Sequence, residues 1–306
     1  MELFYSDHFV LPLPSGHRFP MQKYRLLRQR VAETGLVKPD RMIVPPPATD
    51  EELGLIHQED YLEKVRCGTL TAKEIRRIGF PWSPQMVERS RRSVGATIAA
   101  CRSALQNGVS ANLAGGTHHA YPDHGEGYCV FNDVAVAARL MQMEGRAERL
   151  VILDCDVHQG NGTSAIFNGD NTVFTFDIHC LKNFPFHKEI SSLDIALTDG
   201  AGDEEYLATL EKGMREALGR AQAHLAIYLA GADPFSGDRL GRLALSKQGL
   251  ERRDRLVFDL CRRANLPVAV TMAGGYAKEI QDTVDIHFQT LQIASQIWGF
   301  GVLGTQ

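Results

Sequence analysis

The chain has 306 residues, 44% hydrophobic and 23% charged, with a net charge of −4. Such a chain can bury an ample core as a globular protein and carries no general nucleic-acid signature. It has no apolar run long enough to span a membrane, and its six scattered cysteines, none in Cys-x-x-Cys, argue against a disulfide framework or a structural zinc site.

Taken in chain order, the first 80 residues show little regularity. The start, Met1 to Asp7, lacks the basic region and apolar core of a signal peptide, so a reducing, cytoplasmic setting is expected. A helix is expected over residues 20–34, where Lys23, Arg25, Arg28 and Arg30 cluster. That cluster reads as a solvated face or as a contact for an acidic partner. Pro45-Pro46-Pro47 is a stiff loop, too short to separate domains. Tyr24 and Trp82 suit packing or a pocket rim. From residue 84 helices alternate with short apolar strands. Helices are expected over 84–106, 132–145, 203–222, 246–265 and 277–297, with Met141 and Met143 as apolar filler on the second. Strands are expected over 150–154, 172–177, 225–230 and 267–272. No repeat or low-complexity linker interrupts the pattern, so residues 1–306 read as one domain. The alternation predicts an α/β fold, a mostly parallel central sheet flanked by helices. Ligands of such a sheet bind beyond the C-terminal ends of its strands.

Chemistry-bearing residues fall at those ends. Leu150-Val151-Ile152-Leu153 is followed by Asp154-Cys155-Asp156-Val157-His158. On an extended strand Asp154, Asp156 and His158 share one face, where unpaired polar groups would be costly without a bound cation. Leu225–Leu229 ends at Ala230-Gly231-Ala232-Asp233-Pro234, and Gly115-Gly116-Thr117 delivers His118 and His119. Asp156, His158 and Asp233 would give zinc three protein ligands and leave a position for water, the catalytic pattern. The two histidines would be proton-transfer groups beside it. Each piece alone has an ordinary reading: a strand-end network, a helix cap, a surface pair. Cys129 and Cys155 read as small buried residues.

Together these segments resemble the zinc-dependent histone deacetylases of the arginase/deacetylase superfamily. The matching runs are residues 115–119, 125–133, 154–162, 230–234 and 273–276, in family order. Ser236-Gly237-Asp238-Arg239-Leu240-Gly241-Arg242-Leu243 is most similar to class IV members and their bacterial relatives. The resemblance implies one zinc on Asp156, His158 and Asp233, with His119 as general base and then acid. It implies an electrostatic role for His118, oriented by Asp154, and makes Tyr276 the phenol that polarises the scissile carbonyl. It implies an acyl-lysine tunnel at Tyr128, Phe184, Gly127 and Gly275, with Leu240 at its rim. It further implies a potassium site at Asp154, Asp156, Asp177 and the His158 backbone.

Two departures stand out. Asn161 replaces a carboxylate that class I enzymes hydrogen-bond to the catalytic histidine, and an amide does not raise an imidazole pKa as an anion does. No rim aspartate for gripping a substrate backbone is evident in residues 78–84. The leading expectation is hydrolysis of acetyl or longer acyl groups from protein lysines. A deacylase of small amines such as acetylpolyamines is a second reading, disfavoured by Leu240 where a charged gatekeeper would sit. A catalytically weak acyl-lysine binder is a third, disfavoured by Tyr276 and both histidines. Oligomeric state is open. The charge is uneven: residues 1–110 hold 16 Lys/Arg against 12 Asp/Glu, the rest 17 against 25. An acidic catalytic region would suit basic peptide tails, though such unevenness is common.

Overall fold

The apolar run Leu150–Asp154 forms a strand buried along its whole length. Its alternation decides the architecture. Leu150 and Ile152 enter one hydrophobic cluster, whereas Val151 and Leu153 enter another on the opposite face. In the computed structural model, which describes residues 1–300, this strand lies inside an eight-stranded sheet. The strands are β1 (Leu3–Phe4), β2 (Met42–Ile43), β3 (Val109–Asn112), β4 (Leu150–Asp154), β5 (Val173–Cys180), β6 (Leu193–Leu197), β7 (Leu225–Leu229) and β8 (Val268–Thr271). Their spatial order is β2-β1-β3-β8-β7-β4-β5-β6, and every pairing is parallel.

Helices cover both faces. They are α1 (Gln22–Thr34), α2 (Asp50–Leu53), α3 (Glu59–Cys67), α4 (Ala72–Ile78), α5 (Pro84–Asn107), α6 (Asp133–Met143), α7 (Asn161–Ile166), α8 (Asp203–Ala221), α9 (Lys247–Arg263) and α10 (Ile280–Ile297). Leu27, Leu210, Val257 and Leu291 bring α1, α8, α9 and α10 to the Val151 face. Leu53, Val65, Ile78, Val94 and Val136 bring α2 to α6 to the Leu150 face. Each fully buried aliphatic side chain contributes about 1.5–3 kcal/mol. Local chemistry sets the helix ends. Thr71 and Glu74 form a capping box on α4, and Ser83 caps α5 ahead of Pro84.

The expected helices and strands all form, with ends shifted by a few residues. The basic helix α1 differs from its reading as a solvated face. Lys23 is buried, Arg28 pairs with Asp7 at 2.8 Å, and Arg30 pairs with Asp285. Trp82 is a packing residue whose indole donates to the Val65 carbonyl at 2.7 Å. Met141 is buried, whereas Met143 is exposed. All six cysteines are free. No helix among the described residues is long and apolar enough to cross a membrane.

Four neighbouring strands, β3, β8, β7 and β4, end on the same side of the sheet. The loops that follow them carry His118 and His119, Tyr276, Asp233, and Asp156 with His158.

Candidate active site

Strand β4 ends at Asp154, so Asp156 and His158 lie in the bend beyond it rather than on its pleat. Their convergence is set by the loop, not by strand alternation. The Asp156 amide donates to Asp154 Oδ1 at 3.1 Å, and the His158 amide donates to Asp156 Oδ1 at 2.9 Å. Asp233 is fixed by the Val157 amide, which donates to its Oδ1 at 2.9 Å. The result brings Asp156, His158 and Asp233 together, all buried, as a group that could hold a metal ion. His158 Nδ1 is 2.9 Å from Asp156 Oδ1 and 3.3 Å from Asp233 Oδ2.

The donor chemistry fits a zinc ion. Asp233 Oδ2 is buried with no hydrogen-bond partner, an expensive state unless a cation completes it. Burial, then the Asp156 charge, pushes the Asp233 carboxyl up to about 7. Burial opposes the His158 cation, but the neighbouring Asp156 and Asp233 carboxylates outweigh it and raise His158 to about 10. Two carboxylates and one imidazole nitrogen form a set suited to a borderline divalent ion. Gly274 is required beside them. Its amide donates to Asp156 Oδ2 at 2.7 Å, and a Cβ there would overlap Asp233 Oδ2 and lie 2.6 Å from Asp156 Oδ2.

The histidine loop is built from the 125–133 segment. Asp133, buried at the start of α6, accepts from the Gly116 and Thr117 amides at 3.0 and 2.7 Å. Asn132 caps α6 and donates to the Ala120 carbonyl at 3.0 Å. His118 Nδ1 sits 2.6 Å from Asp154 Oδ2. Burial disfavours its cation, yet the Asp154 and Asp156 carboxylates outweigh burial and raise His118 to about 9. Burial, then the charges of His118 and His158, hold His119 well below its ordinary value. The two neighbours are thus driven apart, one toward the cation and one toward the neutral base.

His119 Nδ1 lies 2.7 Å from Asn161 Oδ1. Asn161 Nδ2 donates at 2.7 Å to Glu126 Oε1. The Glu126 carboxylate only accepts, so it fixes which end of the amide faces His119. Nδ1 then carries the proton and Nε2 is the basic nitrogen. The carboxylate that Asn161 lacks is therefore supplied one step away, by a residue sequence reasoning missed.

Tyr276 is buried, and burial, then Asp233 and Asp156, keep its phenol protonated by raising its pKa well above the usual range. Its amide donates at 2.6 Å to Asp238, which also accepts from the Leu240 and Gly241 amides. Lys23 Nζ, 5.2 Å from the Tyr276 ring centroid, reaches the Ala273 and Gly275 carbonyls at 3.3 and 3.4 Å. From the opposite side of β4 and β7, the buried Arg253 of α9 donates to the Gly231 carbonyl at 2.5 Å and the Cys155 carbonyl at 3.4 Å. It is neutralised by Asp254.

His118, His119, Asp156, His158 and Tyr276 line the buried end of a cavity of about 770 Å³. Tyr128, Phe184, Gly127 and Leu240 line it, as does Tyr24. Gly275 does not: Gly274 takes that position, while a Cβ on Gly275 would face Thr283. Gly127 has φ +58°, and a Cβ there would meet His119 Cδ2 at 2.6 Å. Asp177, on β5, is paired in register with Asp154. Its Oδ2 accepts from Gly160 at 2.7 Å while its Oδ1 is buried without a partner.

Known proteins place the chain. The histone deacetylase domain family matches residues 17–291. An uncharacterized protein of Picosynechococcus is 46% identical over 92% of this chain and 94% of its own length. A histone deacetylase-like amidohydrolase of Pseudomonas aeruginosa is 29% identical over 87% of this chain and 74% of its own. The crystal structure of an HDAC homolog complexed with SAHA superposes with TM-score 0.84 at 24% identity, covering 97% of this chain and 84% of that one. The fold is that of this homolog, and the chain belongs to the histone deacetylase family.

Proposed function

We propose that the chain is a zinc-dependent deacylase of acylated lysine, with Asp156, His158 and Asp233 as ligands and His119 as the base. One observation carries the reading: an imidazole of fixed tautomer stands beside a three-ligand cluster on the floor of an aromatic-walled cavity. Bound there, zinc supplies the Lewis acidity that activates water and polarises the scissile carbonyl. His119 Nε2 accepts the water's proton as the C–O bond forms. Tyr276 donates its O–H to the oxygen on which negative charge develops. His119 then returns the proton to the departing lysine nitrogen as the C–N bond breaks, and the carboxylic acid and the amine result, the acid's proton passing to the amine in solvent to leave carboxylate and ammonium. His118 acts through charge and orientation. A potassium ion at Asp154, Asp156, Asp177 and the His158 backbone belongs to the same reading, supported by the unpartnered Asp177 Oδ1.

The apolar walls Tyr128 and Phe184, with uncharged Leu240 at the rim, favour acyl groups longer than acetyl. Each added methylene that fits contributes about 0.8 kcal/mol. The test is an acyl-length series on one lysine peptide, run with zinc-loaded and chelator-stripped protein. Turnover that needs zinc and improves beyond acetyl is expected. Efficiency peaking at acetyl and collapsing by hexanoyl would defeat the length proposal alone, and zinc-independent turnover would defeat the mechanism.

A further inference from the structure

Outside the chemistry, the cavity has an opening of one sign. Arg18, Arg76, Arg77, Lys182 and Arg242 line it and all are exposed, whereas its inner end, at Asp156 and His158, is buried. Among the described residues, the only other carboxylate lining it besides Asp156 is Glu126. That group is already engaged by Asn161 and by Arg77, 3.4 Å away. Arg242 pairs with Asp199 at 3.0 Å. Among the described residues no carboxylate lies within 4.0 Å of the charged groups of Arg18, Arg76 or Lys182. The chain as a whole carries −4, so the mouth is opposite in sign to the average surface.

The ordinary explanation for cations at a helix C-terminus covers Arg76 and Arg77, in the last turn of α4. It does not cover the rest. Arg18 precedes α1, Lys182 follows β5, and Arg242 lies in the loop between β7 and α9. Four separate segments thus deliver positive charge to one opening. Cations spread around a mouth suit an extended anionic chain crossing it rather than a single compact anion held by convergent donors. We infer that the preferred substrate presents its acyl-lysine within an acidic segment, with Asp or Glu flanking the modified residue. This rests on the deacylase reading and reverses the expectation of basic peptide tails. It also weighs against polycationic acetylpolyamines, which the mouth would repel.

The test uses three peptides that share one acyl-lysine, flanked by Asp, by Ser or by Arg. At low salt the acidic peptide should exceed the basic one in kcat/KM by about tenfold, within the range of electrostatic steering. The ratio should shrink as salt shortens the screening length from about 30 Å at 0.01 M to about 3 Å at 1 M. In the Arg76→Glu, Lys182→Glu double variant the acidic-to-basic ratio should fall to unity or below. Reading the ratio within one variant cancels any general loss of activity. A wild-type ratio at or below unity, or a ratio unmoved by the double substitution, would overturn the inference while leaving the deacylase standing. Stronger competition by a single-stranded oligonucleotide than by the unacylated acidic peptide would also overturn it. No turnover of any of the three would defeat the deacylase reading and this inference with it.

Discussion

Substituting Glu126 tests the reading of His119 most sharply. In the native chain the order of donors runs His119 Nδ1–H to Asn161 Oδ1, then Asn161 Nδ2–H to Glu126, both at 2.7 Å. Glu126→Gln keeps the shape but introduces a donor. The Asn161 amide can then turn, present Nδ2 to His119, and move the imidazole proton to Nε2, where it blocks base catalysis. The carboxylate bond also loses its charge assistance. Bonds to charged groups are worth about 1.5–3 kcal/mol against about 0.5–1.5 for neutral ones. A loss of about 1 kcal/mol in the transition state is a fivefold fall in kcat. Glu126→Leu removes the acceptor and strands the buried Asn161 Nδ2, which raises the loss to about 1–3 kcal/mol, or roughly 5- to 150-fold. Asn161→Asp alone places a second carboxylate against Glu126, and its anion raises the His119 pKa, so the acidic limb of the pH–rate profile moves to higher pH. Adding Glu126→Gln relieves the repulsion, so the double variant should be more active than Asn161→Asp alone. Steady-state kcat and KM across pH for the four variants decide the matter. Parental kcat and an unmoved profile in both Glu126 variants would refute the relay.

Other predictions rest on single contacts. Gly274→Ala should abolish metal binding with the fold retained, because its Cβ intrudes on Asp233 and Asp156; elemental analysis and circular dichroism check both halves. Tyr276→Phe should cut kcat by about 10²–10³ with little change in KM, since its hydrogen bond strengthens only on the developing charge; equal changes in both constants would contradict that role. His57 is buried neutral between the Tyr121 carbonyl and the Asn132 amide, and burial pulls its pKa down from 6.5 to about 4. The unfolded chain therefore binds this proton first as pH falls, so stability is full above pH 6.5 and declines toward pH 4. The loss is about 3 kcal/mol by linkage, and His57→Gln should remove that portion of the slope in denaturant melts.

Most residues that converge on the site were legible because each follows an apolar run within a few residues, whereas His118 and His119 were legible from the Gly115-Gly116-Thr117 turn that delivers them. Asp233 behind Leu225–Leu229 and Tyr276 behind Val268–Thr271 are examples. Less was legible where the local signal is weak. Strands β1 and β2 have two residues each, and β3 reads Val-Ser-Ala-Asn, with no apolar run to announce it. Strand β6 lies at the sheet edge, where only Leu197 of its five residues is buried and Asp194 interrupts the apolar run. Lys23 reads as surface from its neighbours Arg25 and Arg28, because the carbonyls that hold it belong to residues 250 and 252 positions away. Glu126 is silent for the same reason: its partner Asn161 is distant in sequence, and a lone glutamate beside glycine carries no chemical signature.

Arg253 has a consequence for how the enzyme fails. One guanidinium holds the carbonyls of Cys155 and Gly231, and these residues adjoin Asp156 and lie two positions from Asp233. The loops that follow β4 and β7 and carry Asp156 and Asp233 therefore share one anchor. Partial melting of α9 would release both at once, so metal and turnover should disappear in a single sharp step on mild heating rather than by gradual drift. The catalytic floor behaves as one mechanical unit, while Arg18, Arg76 and Lys182 at the opening stand on segments outside that anchor. Changes there can retune which chains are admitted without disturbing the chemistry beneath.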